Sequence, residues 1–255
     1  MVARSQGSKD CNAAAEGPQL SLIIPAFNEE RRLRESLPTA LQYLERQPYS
    51  WEVVVVDDGS RDATSQVVRE LAAGRSNVRV LRNEPNRGKG YSIRRGMLEA
   101  HGRYRLFSDA DFSTPIDEVE KFWAAVADGY DVVIGSRGLA ESQLLVRQNI
   151  MRETMGRIFN FLVRAMLIPG IRDTQCGFKM FSARAAQSVF PRQTLDGFSF
   201  DVEILYLALQ QGFRIKEVPI RWINSPATKV SPLRDATRMF FDLLRIRFRR
   251  RQSSE

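Results

Sequence analysis

The sequence predicts an α/β fold built on a mostly parallel, doubly wound central sheet flanked by helices. Short apolar runs alternate with stretches of helical period from Leu20 to Gly135, the pattern of successive βα units. Val53 to Val56 are consecutive valines, and an unbroken apolar run suits a strand covered on both faces. Several of these runs end in polar or acidic residues, which a parallel sheet delivers to one edge.

In chain order, Leu20–Ile24 is a strand that Pro25 stops, and Glu29–Gln47 is an amphipathic helix. The valine strand runs Glu52–Asp57, and a helix follows at Asp62–Ala73 with Ser60 or Asp62 available to cap it. Val78–Leu81 and Tyr104–Ser108 are strands on either side of a helix at Lys89–Ala100. Ile116–Ala127 is helical and Asp131–Gly135 extended. Beyond this point the pattern changes. Gln143–Ile168 reads as one long apolar helix dotted with arginines, and Cys176–Phe181 as a strand. A short helix, a helix at Phe200–Gln211 and a strand near Arg214–Val218 come next, and a basic amphipathic helix closes the chain.

At 255 residues, 43% hydrophobic and 27% charged, the composition is that of a soluble globular protein with one full core. No run approaches the roughly 20 apolar residues needed to span a bilayer. Residues 1–18 are polar, without the apolar core of a secretory signal, and read as a disordered tail. Residues 19–230 form the expected catalytic domain, and 231–255 a basic amphipathic helix and tail. Cys11 and Cys176 make neither a disulfide framework nor a zinc site, which suits a reducing cytoplasm. A single histidine, His101, excludes a His-rich metal centre and most His-based nucleophilic triads. The net charge of +8 is uneven, with seven arginines from Arg234 to Arg251 facing only Asp235 and Asp242. That tail calls for an anionic partner surface. Leu233, Ala236, Met239, Phe240, Leu243 and Leu244 recur at helical spacing among its arginines, as in a helix lying among lipid headgroups; a terminal helix packed on the domain is the simpler alternative. A nucleic-acid partner is not expected, because the acidic strand ends repel phosphate in the absence of a cation.

Asp109-Ala110-Asp111 carries the most chemical information. Carboxylates so close repel one another. A divalent cation relieves the repulsion, and hard oxygen ligands suit Mg²⁺ or Mn²⁺, which in turn suit a diphosphate. Alone, the tripeptide reads more simply as an acidic surface turn; its company changes that. Pro25-Ala26-Phe27-Asn28-Glu29 ends the first strand, where backbone can lie against a planar ring and Glu29 can accept from ligand hydroxyls. Asp57-Asp58-Gly59-Ser60 ends the second and offers a carboxylate to a base N–H. Asn86-Arg87-Gly88-Lys89-Gly90 opens a helix after the third; it lacks P-loop spacing but offers a lysine and glycines to phosphate or ribose. Together these strand ends describe a nucleotide site with a metal.

This set, in this order, resembles the family 2 glycosyltransferases of the GT-A fold. Arg172-Asp173-Thr174-Gln175-Cys176-Gly177-Phe178-Lys179-Met180-Phe181, then Phe200-Asp201-Val202-Glu203-Ile204-Leu205-Tyr206, then Glu217-Val218-Pro219 are similar to the dolichyl-phosphate β-glucosyltransferase branch, close to the dolichyl-phosphate mannose synthases. The resemblance spans roughly Leu20 to Arg247. It implies a Rossmann-like GT-A fold and inverting transfer of a hexose from a nucleotide sugar to a dolichyl or polyprenyl phosphate. UDP-glucose is the implied donor and GDP-mannose the runner-up. By the same resemblance Pro25, Ala26, Phe27, Glu29, Asp57 or Asp58, Lys89, Asp109 and Ala110 hold the nucleotide, and Asp109 and Asp111 hold Mg²⁺ or Mn²⁺. Asp111, Asp201 and Arg137 are the expected catalytic set. Arg137, Arg152, Arg221 and Lys229 are expected to meet the acceptor phosphate. Asp201 reads equally as a helix cap, and Arg137 and Arg152 as surface arginines. Cys176 reads as a small core residue. Two departures stand out: mannose synthases of this kind often carry Gln where this chain has Ser113, and similar glucosyltransferases usually begin with a membrane anchor. The expected location is the cytoplasmic face of a membrane, peripherally bound.

Overall fold

The valine strand forms as expected and organises the sheet. In the computed structural model it is β2 (Trp51–Asp57), hydrogen-bonded in parallel to β1 (Leu20–Ala26) on one side and β3 (Val78–Arg82) on the other. Val53 to Val56 are all fully buried, alternating between the two faces of the sheet. Each such side chain stabilises the fold by about 1.5–3 kcal/mol. The structure describes residues 17–144, 150–223 and 232–248, with side chains throughout these except at 150–155, 157–158 and 232–238.

β4 (Tyr104–Ser108) pairs in parallel with the far side of β1. β7 (Phe178–Ser182) then pairs antiparallel with both β4 and β5 (Val132–Ser136), and β8 (Ile215–Pro219) closes the edge in parallel with β5. The order is β3-β2-β1-β4-β7-β5-β8, so the sheet is parallel except for β7. That exception matters, because it brings the start of β7 to the edge where the other strands end. The helices α1 (Glu30–Glu45), α2 (Thr64–Ala72), α3 (Lys89–Glu99), α4 (Glu120–Ala127, after a 3₁₀ turn at Ile116–Val119), α6 (Ala183–Val189) and α7 (Phe200–Gln210) flank the sheet. Two cores result. One face gathers Ile23, Val54, Phe107, Phe181 and Phe200 beneath α3 and α7; the other gathers Leu22, Val55, Leu106, Phe178 and Met180 beneath α1 and α4.

Three local expectations are corrected. Pro25 does not stop β1, which continues to Ala26 paired with Asp57. The Ala26 carbonyl accepts from Asp58 N at 2.8 Å, so strand alternation turns the Pro25 nitrogen towards β4. Pairing with β4 has already ended at Ile23, and no ladder bond is lost. The long helix does not begin at Gln143: Gln143–Leu144 is a short strand, β6, paired in parallel with β9 (Arg221–Trp222), and the helix is α5 (Ile150–Met166). The last expectation to change concerns α8 (Pro232–Phe248), whose Leu243 is fully buried in the first core together with Ile246. Leu243 therefore does not belong to a lipid-facing stripe. Phe240, Phe241 and Phe248 are the exposed large hydrophobic residues of this helix among its described side chains.

Candidate active site

The loops after β1 and β2 interlock before any ligand arrives. Asn28 adopts a left-handed backbone (φ 51°), which its short polar side chain tolerates. Asn28 N donates to Ser60 Oγ (2.9 Å), Asn28 Oδ1 accepts from Arg61 N (2.8 Å), and Glu29 N donates to Thr64 Oγ1 (2.9 Å). Ser60 is thereby committed to this junction, and Asp62 serves the entry to α2 by accepting from Thr64 N at 3.0 Å. The Glu29 carboxylate is held by Arg32 Nη1 at 3.0–3.1 Å.

Both candidate base-binding carboxylates shape the chain itself. Asp57 is fully buried; it accepts from Ser60 N (2.9 Å), Ser65 Oγ and Arg82 Nη1 (2.7 Å). Asp58 accepts from Asn83 Nδ2 (2.8 Å), Arg87 N (3.0 Å) and Gly88 N (2.7 Å). Asp58 thus pins the segment that opens α3. Gly88 is required there: its φ is +104°, and a Cβ would lie 2.5 Å from the Asp196 carbonyl oxygen. This glycine docks the loop before α7 rather than opening room for a phosphate. Gly90 N donates to the same carbonyl at 2.8 Å.

Lys89, the first residue of α3, reaches the end of β4, its Nζ lying 2.6 Å from Asp109 Oδ1. Burial works against the Lys89 ammonium, but Asp109, Asp201 and Asp111 outweigh it and hold its pKa above the ordinary lysine range. Phe112 N donates to the Asp109 carbonyl at 3.0 Å, with Phe112 itself left-handed (φ 43°), a strain on the order of 1–2 kcal/mol. Asp111 Oδ1 accepts from Ser113 N at 3.0 Å, and the Ser113 carbonyl accepts from Ile223 N at 2.7 Å. The acidic turn is therefore tied to the segment just beyond β9. Because β7 runs antiparallel, Gly177 lies against Asp109, and a Cβ there would sit inside the carboxylate. Asp109, bound by Lys89, and Asp111, bound by Ser113 N, stand two residues apart beyond β4, and among the described residues no group of three or more His, Cys, Asp or Glu is placed to hold a metal ion. Such a pair fits Mg²⁺ or Mn²⁺, cations that take one or two protein carboxylates and draw their other oxygens from water and phosphate.

Arg137, just past β5, is gripped by Asp173, with Nε at 2.7 Å from Oδ2 and Nη2 at 3.0 Å from Oδ1. Its guanidinium also lies over the Trp222 ring at 5.6 Å, and Nη1 has no hydrogen-bond partner among the described residues. Burial opposes both charges of the pair. Arg137 nevertheless holds the Asp173 carboxyl down to about 2, and Asp173 holds the guanidinium above the usual arginine range. Glu217 fixes the 172–173 backbone by accepting from Arg172 N (2.8 Å) and Asp173 N (2.9 Å).

Deeper in, Lys179 of β7 is fully buried. Its ammonium donates to the Cys176 carbonyl at 2.5 Å and to Asp201 Oδ1, and lies 5.3 Å from the Phe107 ring centroid. Asp201 does not cap α7: Ser199 occupies the N-cap position and no side chain bonds there. Burial raises the Asp201 carboxyl, with Lys179 and Lys89 opposing. Burial likewise pushes the Cys176 thiol up to about 11, the state of an inert core residue.

Sequence reasoning gave no role to Asp173 or Lys179. A lysine inside the apolar run Phe178-Lys179-Met180-Phe181 was the available signal, since an unpaired ammonium is costly in a core. Pro25, Ala26, Phe27 and Glu29 stand at the end of β1, and Lys89, Asp109, Ala110 and Asp111 gather beside them around the ends of β1 and β4. Arg221 is engaged otherwise: Nε lies 2.5 Å from Glu118 Oε1 and Nη2 contacts Asp117. These acids hold its pKa above the usual range, and the ion pairs join β9 to the turn before α4. Arg152 lies in α5, but its side chain is outside the described residues, as is Lys229.

A sheet that is parallel but for one strand, with acids and a lysine at its carboxyl edge, defines an α/β protein with its polar residues at the edge where such sheets hold ligands. Residues 21–190 match glycosyl transferase family 2, and the chain belongs to that family. It is 36% identical over 242 residues to a dolichyl-phosphate beta-glucosyltransferase of Dictyostelium discoideum, covering 90% of this chain and 74% of the relative. The Homo sapiens protein of the same name is 37% identical, with 91% and 75% covered. Among solved structures, glucosyl-3-phosphoglycerate synthase from Mycobacterium tuberculosis, in complex with Mn²⁺, UDP and glucosyl-3-phosphoglycerate, superposes with a TM-score of 0.62 at 20% identity, covering 90% of this chain and 78% of that one. Mannosyl-3-phosphoglycerate synthase from Rubrobacter xylanophilus gives a TM-score of 0.64 at 20% identity, with 90% and 72% covered. These likenesses are of fold.

Proposed function

We propose that this protein transfers glucose from UDP-glucose to the phosphate of dolichyl phosphate or a related polyprenyl phosphate, with inversion, giving a β-linked lipid-phosphate sugar. The observation that carries the reading is the 36–37% identity, over about nine-tenths of the chain, to relatives that bear the name dolichyl-phosphate beta-glucosyltransferase.

An acceptor phosphate oxygen attacks the anomeric carbon, the bond from that carbon to the donor's phosphate oxygen breaks, and UDP leaves with the electron pair. A phosphate monoester has a second pKa of about 6, so the nucleophile needs no strong base. The chain's one histidine, His101, lies at the opposite edge of the sheet, where its backbone N–H donates to Glu52 Oε1 at 2.6 Å. The difficulty is instead electrostatic, because two anions must approach. Asp109 and Asp111 would hold Mg²⁺ or Mn²⁺, which when bound neutralises the departing diphosphate. Lys89 would turn from Asp109 to a phosphate oxygen. Arg137, kept in position by Asp173, offers its remaining nitrogen to the acceptor phosphate, with Arg152 and Lys229 as further candidates. Arg221 would have to leave Asp117 and Glu118 to take part. Since Asp57 and Asp58 are spent on their own loops, the nucleoside is read by the backbone they arrange, next to Pro25, Ala26, Phe27 and Ala110.

The acceptor's lipid requires a membrane surface, on its cytoplasmic side in this reading. Exposed Phe161, Phe240, Phe241 and Phe248 beside Arg245 and Arg247 support it, and among the described residues no helix is long and apolar enough to cross a bilayer. The test measures nucleoside diphosphate release with Mg²⁺ and UDP-glucose, with and without polyprenyl phosphate. Release only with the lipid, abolished by Asp111→Ala, is expected. Faster release from GDP-mannose would move the reading to a mannosyltransferase, and lipid-independent release would refute it.

A further inference from the structure

Lys179 is the one fully buried ammonium among the largest buried side chains described, on a core face that includes Phe107, Phe181 and Phe200. Antiparallel register places it opposite Phe107, and Asp109 lies two residues beyond Phe107, on the same side of the sheet. Lys179 therefore sits one rung beneath Asp109. From core to edge the charges alternate. Lys179 binds Asp201; Asp201 follows Phe200, against whose Cβ Gly90 packs directly after Lys89; and Lys89 binds Asp109 at 2.6 Å. A hydrophobic residue at 179 would fill the same space without the cost of desolvating a charge, so the charge calls for an explanation.

We propose that Lys179 is a positioning residue for the donor diphosphate. Its ammonium neutralises the buried Asp201 carboxylate, and Lys89 is thereby left at the sheet edge for Asp109 and the diphosphate instead of being drawn inward. Its bond to the Cys176 carbonyl fixes the chain just before Gly177, which packs against Asp109. The two contacts set the cation and the acid of the donor end from one buried point. Removing the positive charge alone leaves Asp201 as an unmatched anion that competes for Lys89. Removing both charges abolishes the competition.

This rests on the donor reading above, and the probe separates the two. UDP and GDP binding with Mn²⁺ is measured by calorimetry on wild type, Lys179→Gln, Asp201→Asn and the Lys179→Gln/Asp201→Asn double variant, each with its melting temperature. Gln keeps a donor for the Cys176 carbonyl. The expected result is a loss of UDP affinity on the order of tenfold or more in Lys179→Gln, recovered to within about threefold of wild type in the double variant. A purely structural lysine also recovers in the neutral pair, but it loses affinity only in step with melting temperature, so a Lys179→Gln whose affinity per folded molecule equals wild type overturns the proposal, as does a double variant as weak as Lys179→Gln. Should Lys179→Gln not fold, the double variant with its neutral pair decides: near-wild-type affinity supports the proposal, and a tenfold loss overturns it. A wild type that binds GDP and not UDP overturns the donor base alone, and the cycle is then read with GDP. A wild type that binds neither overturns the donor reading and this inference together.

Discussion

Two positions show how much of the site depends on a single atom. At Gly177 no unusual φ demands glycine; the Asp109 carboxylate does, because a Cβ would occupy its place. Gly177→Ala therefore moves Asp109 while leaving the β4–β7 ladder intact. Displacements of about 1 Å in a reacting array cost on the order of a hundredfold. Turnover should fall by that order, with an unchanged far-ultraviolet circular dichroism spectrum; an active Gly177→Ala enzyme would mean that Asp109 is not at the reacting end. At Asp173 the concern is stability. Asp173→Asn leaves Arg137 without its fork partner in a largely buried setting, and losing one member of such a pair costs about 3–5 kcal/mol. Urea unfolding should register a loss of at least about 3 kcal/mol. A change below about 1 kcal/mol would place the pair among weak surface bridges. Neither residue stood out as functional in the sequence, because a glycine's role depends on what faces it across the sheet.

The elements most readily read in advance were those with an apolar pattern long enough to register. β2 and α1 declare themselves by unbroken valines and by Leu33, Leu37, Leu41 and Leu44 at helical spacing. β6 and β9 span two residues each, too short for any period, so in the sequence Gln143 reads as part of the following helix. The antiparallel direction of β7 was equally hidden, since a strand's orientation is set by the return of the chain and not by its composition. α8 illustrates a divided pattern. Its apolar residues serve two masters, Leu243 and Ile246 the core and Phe240, Phe241 and Phe248 the exterior. Deleting α8 would confuse the two by opening the core. Phe241→Ser together with Phe248→Ser removes only exposed apolar area, at 66% and 78% exposure. That variant should keep its melting temperature yet lose most of its sedimentation with vesicles containing anionic lipid. Undiminished sedimentation would leave the exposed face of α8 without a part in membrane binding.

On the scale of the whole molecule, buried carboxylates tie the sheet to its surroundings at several points, and this makes stability depend on pH in a definite sense. At the active-site edge Arg137 holds Asp173 at about 2. At the opposite edge Glu52, despite burial, is held below the ordinary range by Ser21, His101 and Arg79. At the β9 side Glu118, again despite burial, is held down by Lys121 and Arg221. A carboxylate whose pKa is lower in the folded chain contributes stability that is complete above its unfolded value, near 4, and is lost as pH falls through the folded value. Asp201, raised by burial, has the opposite sign and partly offsets the loss on acidification. Three depressed groups against one raised one leave a net decline, so the melting temperature should be nearly level from about pH 7 to pH 5 and fall steeply between about pH 4 and pH 2. Glu118→Gln separates this linkage from general charge repulsion in a basic protein. It should melt lower than wild type at pH 7, because Arg221 and Lys121 lose their shared partner, and its acid limb should be shallower, because one titrating group is gone. If both proteins instead descend with the same slope, the acid transition comes from the net positive charge of the chain, and the Glu118 network takes no part in it.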